Sequence, residues 1–168
     1  MVSFRERLES DEVLCDNAIV SHGYAPHMRD YDVVVEAWTP GSYSAGLYRY
    51  RFTHCPEVRV LTTMRDEVWR ESWDDIFIDF EEWNAAENPA GFVWGVNWAG
   101  AYPGLSYVPD SPLALSWTQR LGHEMHEVTI ETNVYTLQLL CHGLLVHRLA
   151  VGDRSTKTLN RLDEPELV

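Results

Sequence analysis

Between residues 18 and 151 the chain reads as a succession of short β-forming runs separated by turn formers, a cadence that limits it to folds built around an antiparallel sheet. The β-branched run Val33-Val34-Val35 marks a strand over 31–38 with considerable burial, and Pro40-Gly41 ends it. A briefer strand over 18–22 stops at Gly23. The alternation Leu47-Tyr48-Arg49-Tyr50-Arg51-Phe52 predicts a strand over 46–52, and Val58-Arg59-Val60-Leu61-Thr62 follows it closely enough to predict an antiparallel pair. Further strands are expected over 92–98, 126–132, 134–141 and, after Gly143, 144–151.

Three helices interrupt the strands. Residues 3–16 open with Ser3 and space Phe4, Leu8, Val13 and Leu14 roughly as one helical face. Ser111-Pro112 supplies a capping hydroxyl followed by a proline at the first helical position, which predicts a helix that runs to Leu121 and stops at Gly122. In 66–83 an advance of 100° per residue puts Trp69, Trp73, Ile76, Phe80 and Trp83 on one face and the acids on the other. Ile76-Phe77-Ile78-Asp79-Phe80 also reads as a short buried strand. The sum is an α+β domain: a mostly antiparallel sheet of about seven strands with about three helices packed on it, a single domain over 1–152, and a flexible tail over 153–168.

At 168 residues such a domain buries about 68–70% of its unfolded surface and needs no staple. Three widely spaced cysteines, Cys15, Cys55 and Cys141, form no disulfide framework and read as reduced thiols. The N-terminus has no apolar run of signal-peptide type, and nowhere are there 18 consecutive apolar residues, so a cytoplasmic location is expected.

Charge points to the partner. The formal net charge is −13, and the 22 positions 66–87 hold nine acidic residues and one basic one, Arg70. Like charges four residues apart, as at Glu67/Glu71, Glu71/Asp75 and Asp75/Asp79, cost a helix roughly 0.2–0.5 kcal/mol per pair. A solubilising face intersperses signs; this one does not. Direct nucleic-acid binding is disfavoured because phosphates are neutralised by Lys and Arg, and an acidic membrane is disfavoured for the same reason. The expected partner is a basic protein met by Glu67, Glu71, Asp74, Asp75, Asp79, Glu81 and Glu82.

A second candidate site is a small-molecule or enzymatic pocket. It would gather His22, Arg29, Asp30, His126 and Glu131 beside the aromatic loop 94–109, with Trp94, Trp98 and Tyr102. His123-Glu124-Met125-His126 spaces its histidines three apart rather than the four that a zinc-protease helix needs. His126 is expected to be hydrogen-bonded inside the sheet. No G-x-S-x-G, G-x-x-x-x-G-K-[ST] or G-x-G-x-x-G occurs, which weighs against an enzyme; no cofactor or metal is expected, and no motif fixes an oligomeric state.

Several phrases together carry a resemblance: His22-Gly23-Tyr24, Met28-Arg29-Asp30-Tyr31, Val93-Trp94-Gly95-Val96, Tyr102-Pro103-Gly104, Val108-Pro109-Asp110-Ser111 and His126-Glu127-Val128-Thr129-Ile130-Glu131. In this order, from about residue 12 to residue 152, they resemble the YxiG-like family of bacterial proteins, while Cys141-His142-Gly143-Leu144 departs from the family's pattern at that turn. The resemblance implies one domain. It also implies kinship with the small acidic proteins found beside polymorphic toxin genes, where they act as immunity factors, possible partners being nuclease toxin domains.

Overall fold

The computed structural model describes residues 4–9, 14–38, 45–62, 66, 70, 76–77, 80–87, 93–94 and 99–150. In chain order these form α1 (Phe4–Glu9), β1 (Ala18–Tyr24), β2 (Tyr31–Ala37), β3 (Gly46–Thr53), β4 (Glu57–Thr62), β5 (Ile76–Phe77), α2 (Phe80–Ala85), β6 (Val93–Trp94), β7 (Ala99–Tyr107), α3 (Pro112–Leu121), β8 (His126–Thr132), β9 (Tyr135–Cys141) and β10 (Gly143–Arg148). Asp66 and Arg70 are also helical. Eight strands make one antiparallel sheet in the order β10-β3-β2-β1-β7-β8-β9-β4, so the α+β expectation holds with one strand more than predicted.

The sheet curls back on itself. β9 is seventh in the order and β10 first, yet His142 alone separates them along the chain. Correspondingly, β3 and β4 do not pair with each other, contrary to the expectation from their proximity in sequence: β3 pairs with β2 and β10, and β4 pairs with β9. They are two arms of one bent strand, opposed by the bent strand β9–β10. Between the pairs Thr53↔Gly143 and Glu57↔Leu140, residues 54–56 face only 141–142. That extra residue is a bulge, which turns the ribbon's corner. His54 supports it with a φ of 47°, and Pro56 follows without a backbone donor.

Curling encloses the main core. Val33 and Val35 of β2 and Tyr48, Tyr50 and Phe52 of β3 meet Val128 and Ile130 of β8 and Leu137, Leu139 and Cys141 of β9 in one cluster, closed at an end by Leu8 and Leu14. On the outer face, Ala114 of α3 packs with Met125 and Leu140. The alternation of β8, with His126, Val128 and Ile130 buried and Glu131 exposed, is as the sequence predicts.

The centre of the sheet is its thinnest seam. β1 and β7 share two residue pairs, Ala18↔Gly100 and Ile19↔Ala99. Asn17 reinforces this seam from a buried position: its Nδ2 donates to the Cys15 carbonyl at 3.2 Å, its Oδ1 accepts from the Trp38 N–H at 2.9 Å, and its own carbonyl accepts from the Ala101 N–H at 2.9 Å. Gly104, at φ +94°, lets β7 pass against the 14–15 turn, where an added Cβ would stand 3.2 Å from the Cys15 Cα.

Helix α3 is as expected: Ser111 Oγ accepts from the Ala114 N–H at 3.1 Å, and Gly122 closes the helix at φ 69°. Other elements correct the sequence reading. The first helix is described over Phe4–Glu9, and residues 14–17, expected to be helical to 16, are turn and bend, because Leu14 enters the core and Asn17 is drawn to the seam. β1 continues through Gly23 to Tyr24, since pairing with β2 outweighs a single glycine. The aromatic loop expected over 94–109 is mostly strand β7, which keeps its pairing with β8 across a register shift at the turn formers 102–103. The helix expected over 66–83 is interrupted by β5, which pairs in parallel with β6; Ile and Phe favour extended backbone once Val93–Trp94 offers a partner. The rest of the predicted 92–98 strand and the 153–168 tail lie outside the described residues.

Candidate functional site

Three places hold the polar side chains singled out by the sequence, and they are separate. The first is the ribbon corner. Asp30 is buried and takes a bidentate pair from Arg29, with Nε–Oδ1 at 3.0 Å and Nη2–Oδ2 at 3.1 Å, while its Oδ1 also accepts the His54 N–H at 2.9 Å. His27 Nε2 stands 3.6 Å from its other oxygen. Burial pushes the Asp30 carboxyl up, but the Arg29 hydrogen bonds, the His54 N–H and the charges of Arg29 and His27 outweigh it and hold the pKa below the ordinary value. The Cys55 N–H donates to the Arg29 carbonyl at 2.7 Å, and the His142 N–H to the Thr53 carbonyl at 2.9 Å. Met28-Arg29-Asp30-Tyr31 therefore anchors the corner.

Outside the corner the rings of His54 and His142 lie 5.8 Å apart and those of His142 and His123 6.0 Å apart. His142 Nδ1 donates to the Glu124 carbonyl at 2.7 Å. His123 and His126 diverge: the former is exposed beyond the end of α3, while the latter turns inward and stacks on Phe4 with centroids 4.1 Å apart. Among the described residues the His126 ring makes aromatic contacts, with Tyr107 at 6.0 Å as well, but not the hydrogen bond expected of it. Burial lowers its pKa, so it packs as a neutral ring.

The second place is the inner face beside β1. His22 Nδ1 lies 2.6 Å from Tyr31 Oη, its ring is 5.0 Å from that of Tyr135, and Tyr24 meets Tyr31 edge-on at 5.0 Å. Burial lowers the His22 pKa, pushes Tyr135 up to about 12 and raises Tyr31, so imidazole and phenols are all neutral near pH 7. The Cys55 thiol is likewise pushed up to about 12, burial being the largest cause, and the buried Cys141 also rises, so neither is a thiolate nucleophile. Sequence reasoning missed Tyr24, Tyr31, Tyr135 and Asn17 as polar centres; Tyr31 and Tyr135 share their strand faces with Val33 and Leu137 as core aromatics do, and no local pattern sets them apart.

Among the described residues, no hydrogen bond, ion pair or ring contact joins His22 to Arg29, Asp30, His126 or Glu131. Glu131 is exposed, Tyr102 is 71% exposed, and Trp94 lies in β6; Trp98 lies outside the described residues. A cavity of about 10 Å³, the size of one water, opens under α3 between Glu57, Arg59, Leu113, Glu127, Gln138 and the β9 leucines. The Ser111 hydroxyl, which caps α3, donates to Glu127 beside it.

The third place is the acidic stretch. Glu81 and Glu82 are exposed in the first turn of α2, where carboxylates are favourable to the helix, and Trp83 beside them is half-buried. Arg70, the stretch's one cation, lies 3.7 Å from Asp66, and both are largely exposed. Glu67, Glu71, Asp74, Asp75 and Asp79, with Trp69 and Trp73, lie outside the described residues. Among the described residues no helix is long and apolar enough to cross a membrane.

The family model described as YxiG-like protein matches residues 4–158, reaching further toward both ends than the phrases that first carried the resemblance. No curated protein and no solved structure matches the chain. With the match spanning nearly the whole chain, including the corner, the seam and the acidic stretch, the chain belongs to the YxiG-like family.

Proposed function

We propose that this chain is a cytoplasmic binding protein of immunity type, which neutralises a basic partner such as a nuclease toxin domain by covering it with the carboxylates of 66–87. The observation that carries the reading is the charge itself: nine acids and one base in 22 positions, with Glu81 and Glu82 exposed on α2. A nucleic-acid-cutting surface is basic because it must hold phosphates, and carboxylates arrayed on a folded element offer it the same charge without a scissile bond. Complementary fields also speed encounter, toward about 10⁸–10⁹ M⁻¹s⁻¹ at low salt. Family membership supports the reading through the kinship with immunity factors that the resemblance implies. Glu67, Glu71, Asp74, Asp75, Asp79, Glu81 and Glu82 form the proposed contact face.

The test is co-expression with the polypeptide encoded beside this chain's own gene. Growth arrested by that polypeptide alone is restored by the chain, and the two sediment as one complex. Unrestored growth, with the two proteins sedimenting separately, would refute the immunity reading.

A further inference from the structure

Four of the chain's seven histidines, His27, His54, His123 and His142, come from separate segments to the ribbon corner. His27 is occupied there: its Nδ1 accepts the Arg29 N–H at 3.2 Å, and its Nε2 lies 3.6 Å from Asp30. The other three are exposed and stand in a row, with ring centres 5.8 Å apart from His54 to His142 and 6.0 Å apart from His142 to His123. The fold sets where each ring starts. His54 has a φ of 47°, rare for an L side chain, and is held there by the bond from its N–H to buried Asp30 at 2.9 Å. His142 is the single residue between β9 and β10, fixed by its N–H to the Thr53 carbonyl at 2.9 Å, and His123 follows Gly122, which closes α3.

The contact that points to a ligand is at His142. Its Nδ1 donates to the Glu124 carbonyl at 2.7 Å, so in the neutral ring Nε2 carries the lone pair. A backbone carbonyl on one ring nitrogen, with the other nitrogen open, is how metal-bound histidines are oriented. Among the described residues the rings of His54 and His123 make ring contacts but no hydrogen bond or ion pair, so their nitrogens are open as well. Two imidazoles on one ion, with metal–nitrogen bonds of about 2.0–2.1 Å, have ring centres roughly 5–6 Å apart, the spacing this row shows. We propose that His54 and His142 bind a divalent transition-metal ion of the zinc class, with His123 in reach as a third ligand and water in the remaining positions. Among the described residues no three ligand side chains already converge on one point, which makes this an open two-imidazole site and not a closed structural one. Imidazole favours such ions over calcium or magnesium, which take oxygen ligands, so the site is chemically distinct from the acids of 66–87. A bound ion ties β3–β4, through His54, to β9–β10, through His142.

Zinc titrated into the full chain, followed by calorimetry and by the nitrogen resonances of the histidine rings, tests the site. One ion per chain is expected, with the His142 Nε2 and His54 ring signals moving while those of His22 and His126 stay in place. His142→Asn keeps an N–H for the Glu124 carbonyl but loses the ring lone pair, and His54→Asn keeps a side chain that tolerates positive φ. Each should weaken zinc binding by about tenfold or more and remove the rise in melting temperature that zinc gives the wild type, while melting as wild type without it. His123→Ala should weaken binding less, and His27→Ala should leave it unchanged. Zinc bound with unaltered affinity by both asparagine variants, or displaced by an equal concentration of calcium, would put the ion on other groups and overturn the site. Absence of any binding heat up to about 1 mM zinc would overturn it too.

Discussion

Asp32 and Glu81 carry the same charge in opposite settings. Asp32 is buried on β2 and faces its cross-strand neighbour Arg51, whose Nε and Nη2 each donate to it at 2.7 Å, whereas Glu81 is exposed on a six-residue helix within a stretch that has one cation for nine carboxylates. Arg59 likewise pairs with Glu57 of its own strand, and Arg29 with Asp30 in the turn before β2. These charges are matched within the fold, and the proposed function assigns the uneven charge of 66–87 to another molecule. The contrast predicts that neutralising an acid costs folding stability in the first region and association in the second.

The largest loss is expected at Asp32. Asp32→Ala leaves the mostly buried Arg51 guanidinium without its bidentate partner, and breaking such a pair typically costs about 3–5 kcal/mol. Chemical denaturation would show it; a loss under about 1 kcal/mol would mean that this pair is no more structural than a surface pair. Next is Asn17→Ala, which removes the Asn17 acceptor of the Trp38 N–H and the amide from the thinnest seam of the sheet, at about 1–3 kcal/mol. Hydrogen exchange would place the opening at β1 and β7. Ser111→Ala is smaller, about 1 kcal/mol, the usual value of a helix cap, and its effect belongs to α3. Smallest is Glu81→Gln with Glu82→Gln, for which denaturation should move by no more than about 0.5 kcal/mol. A larger loss would mean that these acids serve the fold.

Acid sharpens the same contrast. Burial lowers the pKa of His22, His126 and His147 in the folded chain, so the unfolded chain binds more protons once the pH falls below their ordinary value of 6.5. Their contribution is complete above about pH 6.5 and is lost as pH falls from there through the folded values. Asp30, held low, adds stability that is present above the ordinary 3.8 and lost as pH falls below it. Melting temperature should thus drop between pH 7.5 and 5.5, and His126→Phe should shrink that drop. Equal midpoints at the two pH values would contradict the burial of neutral histidines.

How much of this was legible follows how local each cause is. Ser111, Pro112 and Gly122 announce α3 because caps act within one turn, and the alternation through Val128 and Ile130 announces β8 because one face is dry. The partner of β4 was not legible, since nothing within Val58-Arg59-Val60-Leu61-Thr62 distinguishes pairing with adjacent β3 from pairing with β9, more than 70 residues later. The corner that decides it depends on a buried Asp30 that accepts a hydrogen bond from His54 across 24 positions. Tyr102-Pro103-Gly104 misled for the converse reason: strong turn formers sit inside a strand, where β8 continues the pairing on either side of the shift. Of the candidate sites, the acidic stretch was plain from composition, and the neutral grouping of His22 with Tyr31 and Tyr135 was not, because it assembles from three strands.

The claim that the charge of 66–87 is reserved for a partner is tested most directly by association kinetics. The rate constant for binding the polypeptide encoded beside this chain's gene would be measured for wild type and for the triple variant Glu71→Lys, Asp74→Lys, Asp75→Lys, at low salt and at 0.2 M, where the screening length falls below about 10 Å. The account predicts that wild-type association is fast and slows with salt, and that the triple variant associates at least tenfold more slowly at low salt while melting as wild type does. Equal association rates for the two proteins at low salt would contradict it.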